Sequence, residues 1–274
     1  MTVDVDAEVL FNRRLSEAYN VLGLAAPAIA DAASPGQFVM IRPTTSLDPL
    51  LRRPFSIFEI LRAQDGTATG FSILNKRVGV GTSLLYAVEA GRRVACLGPL
   101  GTPFVPVAPP AEAWMVAGGV GLAPFATLAT ALRDRGTAAR LFYGARSAAD
   151  LFCADVFERA GIPITFATED GSRGDRGFVT LPLARALSAT SASTAVHVYA
   201  CGPTPMMRAV ADTCAAAGRA VDVSLEQVMG CGLGGCYSCV VQVREPGHPA
   251  HFVRSCLAGP VFPASHLVWE TLAH

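Results

Sequence analysis

Four of the chain's eight cysteines gather between Cys231 and Cys256, in the spacing Cys231-x4-Cys236-x2-Cys239-x16-Cys256. A chain with that cluster must bring one tight loop and one distant residue to the same place. Three thiols on a C-x4-C-x2-C loop with a remote fourth is the spacing that holds a [2Fe–2S] centre. Gly232, Gly234 and Gly235 allow the backbone to curl round such a centre and aim N–H groups at its sulfurs. Zinc is the alternative, yet zinc sites usually use two short-spaced cysteine pairs, and only one C-x2-C occurs here. Met1 to Leu10 is acidic and lacks a basic stretch followed by an apolar core, so no secretory signal is expected. Without one, clustered cysteines point to metal or redox chemistry rather than disulfides. Cys96, Cys153 and Cys214 fall on apolar positions and read as packing residues.

The remaining length fits two ordinary domains and a small appendage, since the chain has 274 residues. Half the residues are hydrophobic (51%), 16% are charged, and the formal net charge is zero. Neither a nucleic-acid partner nor an anionic membrane is suggested by that balance. Ala113 to Leu132 runs twenty residues without a charge, which invites a membrane-span reading. Gly118, Gly119, Gly121 and Pro124 would break a lipid-exposed helix there, so strand, glycine turn and helix is the expected parse. The protein is expected to be cytoplasmic.

The first hundred residues read as short strands separated by turns, in the manner of a small antiparallel barrel. Strands are expected at 37–41, 55–60, 69–74 and 93–97, with a helix at 83–90. Val105 to Pro110, with its three prolines, reads as a linker. From Trp114 the rhythm changes to alternating strand and helix: strands at 114–117, 140–143, 163–167 and 196–200, helices at 124–135, 149–159 and 204–217. That alternation predicts a parallel sheet covered by helices. Residues 188–193 are expected to form an exposed loop.

Gly119-Val120-Gly121-Leu122-Ala123-Pro124 follows a strand and opens a helix. Glycines there admit close approach to a pyrophosphate, and the helix N-terminus favours its charge. Pro124 suits the first helical turn, although it replaces the third glycine of the usual dinucleotide fingerprint. Cys201-Gly202-Pro203 ends a later strand, where ligands of open α/β sheets collect. Cys201 itself reads equally as a nicotinamide neighbour or a packing residue. In the barrel-like part, Arg53-Pro54-Phe55-Ser56 offers an arginine fork and a hydroxyl beside a proline turn, suited to a phosphate or a flavin edge. Gly81-Thr82 and Gly98-Pro99-Leu100-Gly101 can expose N–H groups to an anion. His197 reads as an ordinary strand histidine, and His248, His251, His266 and His274 show no ligand spacing. No motif of a hydrolase is present.

This order of motifs resembles the ferredoxin–NADP reductase superfamily, which binds FAD in a barrel domain and a nicotinamide in an α/β domain. With the cysteine tail, nearly the whole chain is similar to the electron-transfer subunits of class 1B dihydroorotate dehydrogenase. The stretches from Ser224 to Cys239 and from Cys256 to Trp269 carry that closer match. The resemblance implies a β-barrel FAD domain (1–105), an α/β parallel-sheet nicotinamide domain (106–223) and a small C-terminal iron–sulfur domain (224–274). It implies that Arg53, Pro54, Phe55 and Ser56 contact FAD, that Leu74, Asn75 and Lys76 lie along it, and that Gly81 and Thr82 face its diphosphate. It implies NAD at Gly119, Gly121, Pro124, Cys201, Gly202 and Pro203, and iron on Cys231, Cys236, Cys239 and Cys256. Lys76, with Arg77 beside it, stands where relatives have a flavin-contacting arginine, and Ala258 where they often have an acidic residue.

Those three groups belong together chemically. A nicotinamide gives up two electrons at once, a [2Fe–2S] centre takes one, and a flavin exchanges both ways. The resemblance further implies an FMN-containing dihydroorotate dehydrogenase catalytic subunit as partner, a heterotetramer with two of each chain, a role in pyrimidine biosynthesis, and NADH as donor. Arg146-Ser147, after the strand at 140–143, could equally greet a 2′-phosphate. Two alternatives stay open at this point: a diaphorase-like subunit of a hydrogenase or transhydrogenase-type complex, and a non-catalytic redox sensor.

Overall fold

The computed structural model describes residues 1–44, 46 and 48–272; His274 lies outside them. The first sheet contains β1 (Val3–Arg14), β2 (Tyr19–Ala25), β3 (Phe38–Arg42), β4 (Arg53–Ser56), β5 (Ile60–Arg62), β6 (Ala68–Lys76) and β7 (Arg93–Leu100), with short helices α1 (Pro27–Ala32) and α2 (Val80–Ala87). Its strand order is β4-β3-β7-β1-β2-β6-β5, and every pairing is antiparallel. β1 shows why such a sheet curls round a core: Val3, Val5, Ala7 and Val9 turn inward while Asp4, Asp6 and Glu8 turn out. The outer acids pair with arginines, Asp4 with Arg52 at 2.8 Å and Asp6 with Arg93 at 2.7 Å.

The sequence pattern suggested one strand over 55–60, and the structure divides it. β4 and β5 are opposite edges of the sheet, joined only by Ile57, Phe58 and Glu59. Ile57 N–H donates to Gln37 O beside β3 (3.0 Å), whereas Phe58 N–H donates to Ser72 O on β6 (2.8 Å). The segment changes partner strand in mid-course, and this rolls the sheet into a half-barrel. The unbroken apolar run hid the switch, because both halves are buried or half-buried.

The second sheet is built from β8 (Glu112–Gly118), β9 (Ala139–Ala145), β10 (Ile164–Thr168), β11 (Asp175–Arg176), β12 (Val196–Cys201) and β13 (Ala220–Ser224), with helices α3 (Ala123–Asp134), α4 (Ala154–Arg159), α5 (Thr180–Ala189) and α6 (Thr204–Ala216). These strands pair in parallel. The chain moves from β8 outward through β9 to β11, then returns to place β12 on the other side of β8. The switch point between β8 and β12 therefore lies where their C-terminal loops meet. Ala113 to Ala117 is fully buried, as a central parallel strand covered on both faces requires. The uncharged stretch 113–132 is thus strand, turn and helix, and no helix among the described residues is long and apolar enough to cross a membrane. One expected helix, 149–159, is interrupted: Cys153 adopts a left-handed conformation (φ 57°), and only Ala154–Arg159 is α-helical beyond it. Phe152 leaves the helix path to pack on Tyr19 of the half-barrel, with ring centroids 4.7 Å apart. Ser188 and Ala189 end α5, so the exposed loop is shorter than expected.

The tail adds a hairpin, β14 (Val240–Val243) with β15 (His251–Arg254), a short helix α7 (Ser255–Ala258), and β16 (Val261–Pro263). β16 joins the second sheet antiparallel to β13, so the chain that carries the fourth cysteine ends locked to that sheet. One buried cluster joins the two larger units, combining Val21, Phe58 and Leu74 with Phe104, Leu122 and Phe125. The linker is pinned by Tyr199, whose hydroxyl donates to Val105 O (2.8 Å) and accepts from Val107 N–H (3.0 Å).

Candidate functional site

The first candidate group lines β4 and the start of α2. Arg53 to Ser56 are all half-buried on an edge strand. Arg53 Nη1 donates to the carbonyls of Leu51 (2.8 Å) and Arg52 (3.2 Å), which fixes the fork against its own turn. Gly81 packs on that side chain: a Cβ there would lie 3.2 Å from Arg53 Nε. Thr82 Oγ1 caps the first turn of α2, accepting from Val78 N–H (2.9 Å) and Gly79 N–H (3.0 Å). The next N–H groups of a helix start have no intrahelical acceptor, so this turn suits an anion such as a diphosphate.

Asn75, expected to lie along a flavin, has an interior side chain. It is fully buried, and its Nδ2 donates to Asn20 Oδ1 (2.7 Å) and Thr82 O (3.0 Å). Asn20 in turn donates to Asn12 Oδ1 (2.7 Å), and Asn12 donates to Val88 O (2.7 Å) and Tyr86 O (3.0 Å) at the end of α2. A row of three amides across β1, β2 and β6 thus sets where α2 stands. Leu74 faces the opposite way, into the core shared with Leu122 and Ala123. Lys76 is exposed, its ammonium 5.4 Å from the Tyr19 ring centroid.

The second group is the switch point. Gly121 lies so close to β12 that a Cβ would sit 2.3 Å from Cys201 O and 2.7 Å from Gly202 N, so only glycine fits. Gly119 has φ +55° and open space on the side where a Cβ would be. Pro124 occupies the first turn of α3 and costs it no hydrogen bond. Pro203 is the N-cap of α6, and Met206 packs on Gly118 and Gly202. Cys201 is buried, and that burial pushes its thiol well above the usual range; Ser224 and Gly202 pull it only partly back. It is a neutral thiol. Glu226, which the sequence reading left without a role, follows β13 and is exposed. Partial desolvation raises its carboxyl above the ordinary value, with Lys76 acting against that. Its charge also acts on Cys201, through the pairing of β13 with β12. Only the adjacency of β13 to β12 could reveal that meeting.

The third group is the cysteine loop. Leu233 N–H donates to Cys231 Sγ at 3.3 Å, and Cys256 N–H to Cys239 Sγ at 3.5 Å. Ser238 Oγ lies 3.1 Å from Cys236 Sγ while accepting from Gly230 N–H (2.9 Å). The Ser238 hydroxyl and N–H, then Cys231, bring the Cys236 thiol down to about 6. Burial, then Cys239, push Cys256 up to about 11. The thiols therefore meet as Cys231 with Cys236 and Cys239 with Cys256. Among the described residues no three His, Cys, Asp or Glu side chains are grouped for a single ion. Two thiol pairs fit a two-iron centre, one pair to each iron, with N–H groups already aimed at sulfur. The remaining cysteines are packing residues as expected: Cys96, Cys153 and Cys214 are buried, and burial raises each thiol. His197 pairs with Asp222 at 2.9 Å, away from all three groups.

The first and third groups meet. Met40 on β3 stands opposite Pro54 of β4, and it packs with Phe38 and Leu100 against Met229, Cys239 and Cys256. A Cβ on Gly232 would lie 2.5 Å from Met40 Cγ. The cysteines thus rest on the strand next to the half-buried β4.

Two stretches of the chain match models of known domains. Residues 115–212 match the model of the oxidoreductase NAD-binding domain, and residues 226–268 match the iron-sulfur cluster binding domain of dihydroorotate dehydrogenase B. Among solved structures, one described as an NADH-dependent reduced ferredoxin-NADP oxidoreductase superposes with a TM-score of 0.83 at 27% identity, covering 97% of this chain and 91% of that one. A ferredoxin NADP+ reductase from Neisseria gonorrhoeae with bound FAD and NADP shares the fold at 15% identity (TM-score 0.64, 78% of this chain and 92% of that one). The dihydroorotate dehydrogenase B (NAD(+)) electron transfer subunit of Desulforamulus reducens is 36% identical, over 97% of this chain and 98% of its own. That of Geobacillus kaustophilus is 38% identical, over 95% and 96%. With two thiol pairs, a glycine-built switch point and a half-barrel in one chain, and relatives matched end to end, the chain belongs to the family of dihydroorotate dehydrogenase B electron transfer subunits.

Proposed function

We propose that this chain carries electrons between NAD(H) and an FMN-containing subunit that oxidises dihydroorotate, in pyrimidine biosynthesis in the cytoplasm. The observation that carries the reading is the Met40 contact: Met40 stands opposite Pro54 of the candidate flavin strand and packs in one buried cluster with Cys239 and Cys256. FAD, when bound, takes a hydride from a nicotinamide and passes electrons on singly. The residues of this chain do the placing. Arg53 and Ser56 hold the flavin edge, and the first turn of α2, fixed by Thr82 and the asparagine row, holds the diphosphate. Gly119, Gly121 and Pro124 admit the dinucleotide phosphates, and Cys201, Gly202 and Pro203 close the recess behind the nicotinamide. Cys201, buried and neutral, packs there without supplying charge. Cys231, Cys236, Cys239 and Cys256 ligate the two irons.

The partner docks on the cluster side. Leu233, Tyr237 and Leu257 are half exposed or more (57%, 64% and 50%), and Leu233 and Leu257 line a cavity of about 290 Å³ with Gln37, Leu100, Gly232 and Cys256. Apolar surface of that kind marks an interaction site. A heterotetramer with two copies of each chain, and preference for NADH over NADPH, complete the proposal.

Co-expression with the FMN subunit tests it. The chain alone is expected to reduce ferricyanide with NADH and to be inert towards dihydroorotate, whereas the complex gains NAD-linked dihydroorotate oxidation. Leu233→Asp is expected to break the complex, seen by size measurement, and to spare NADH–ferricyanide turnover. A chain that forms no complex and supports no NAD-linked turnover would refute the assignment.

A further inference from the structure

Arg254 lies on β15, two residues before the fourth cysteine, yet its side chain serves the loop that carries the other three. Nη1 donates to Gly234 O at 2.9 Å and lies 3.5 Å from the Tyr237 hydroxyl. The guanidinium carbon is 5.0 Å from the centroid of the Tyr237 ring. Gly234 and Tyr237 flank Gly235 and Cys236, and both are left-handed, at φ +80° and +59°. Tyr237 is one of two non-glycine residues with positive φ among the described residues, the other being Cys153. A non-glycine residue holds that conformation only when its surroundings fix it. Here the fixing contact is the arginine. No carboxylate pairs with Arg254 among the described residues, so its charge stays with the loop.

We propose that Arg254 is a positioning residue that latches the three-cysteine loop onto the strand of the fourth cysteine, and so sets both retention and reduction potential of the cluster. This rests on the proposed reading that the four cysteines hold iron. The latch grips the loop on both sides of Cys236, the most exposed of the four thiols. Gly234 is held through its carbonyl while its N–H faces Cys256. Hydrogen bonds to cluster sulfurs and a nearby cation both favour the reduced, more negative state. Removing the latch should therefore loosen the iron and lower the potential together.

The test uses the full chain, loaded anaerobically with iron and sulfide, as parent, Arg254→Met, Arg254→Lys and Tyr237→Leu. Iron release to a chelator and the cluster midpoint, followed by EPR during dithionite titration, are the readouts. Arg254→Met is expected to release iron at least roughly tenfold faster, the scale of losing an outer partner of a metal ligand, with a more negative midpoint. Arg254→Lys, which keeps the charge and loses the fork, should fall between it and the parent. Tyr237→Leu should shift both readouts less, in the same direction. If Arg254→Met matches the parent in release and midpoint, the latch is refuted. If that variant does not fold, parent-like values in both Arg254→Lys and Tyr237→Leu refute it instead. A parent chain that takes up no iron and sulfide would overturn the cluster assignment itself.

Discussion

The switch-point loops and the cysteine loop are both rich in glycine, but they are held in opposite ways. At Gly121 the space a side chain would occupy is filled by the backbone of Cys201 and Gly202, themselves the end of a central strand. That site is shaped by the sheet before any ligand arrives. In the cysteine loop, Gly235 has open space around it, residues 225–239 belong to no helix or strand, and Cys236, Leu233 and Tyr237 face outward. The loop keeps its course through side chains: Ser238 on Cys236, Arg254 on Gly234, Met40 under Gly232. A dinucleotide that comes and goes suits a rigid cradle. A resident cluster can complete its own cradle, because metal binding contributes folding free energy directly.

The sharpest way to break this comparison is one methyl group. Gly121→Ala forces a Cβ into the Cys201 carbonyl, so the two central loops must separate. An overpacking cost of about 1–3 kcal/mol is expected, with a large loss of NADH–ferricyanide turnover. Thermal unfolding and steady-state rates check it, and parent-like values in both would show that the cradle is not rigid.

Cys236→Ser probes the other region. Cluster absorption should disappear, while flavin binding, NADH–ferricyanide turnover and the unfolding midpoint of the two larger units stay near those of the parent. A collapse of NADH oxidation would mean that the cysteine loop supports the flavin side structurally, and the contrast between the regions would fail.

The smallest expected effect sharpens the boundary between them. Partial desolvation raises the carboxyl of the surface residue Glu226 above its ordinary 4.5, so the folded state favours its protonated form. Its contribution to stability is present below that ordinary value and is lost as pH rises through the raised one. Glu226→Gln cannot ionise. It should match the parent at about pH 4 and unfold at a slightly higher temperature at about pH 8. Equal midpoints at both pH values would show that folding does not shift the Glu226 carboxyl.

Much of this molecule was legible along the chain, for a local reason. A ligand set such as Cys231, Cys236 and Cys239 is a matter of spacing, and a turn such as Gly119 to Pro124 is a matter of which residues tolerate its backbone. The alternation from Trp114 onward is likewise local, since each strand and helix shows its own period. What stayed hidden depended on partners far away in sequence. The apolar run from Phe55 to Ile60 shows no break, because Ile57 and Phe58 part company only when Gln37 and Ser72 offer them acceptors on different strands. The interruption at Cys153 has no glycine or proline to announce it; it accompanies the stacking of Phe152 on Tyr19. The interior position of Asn75 is likewise invisible in sequence, because Asn20 and Thr82 come beside it only in the fold. By itself the sequence determined the chemistry each segment can perform, since residue type and spacing are written there. Only the tertiary structure decided that Met40 would join β4 to the cysteines and that Phe152 would stack on Tyr19, because contacts between distant segments exist only once the sheets have curled and packed.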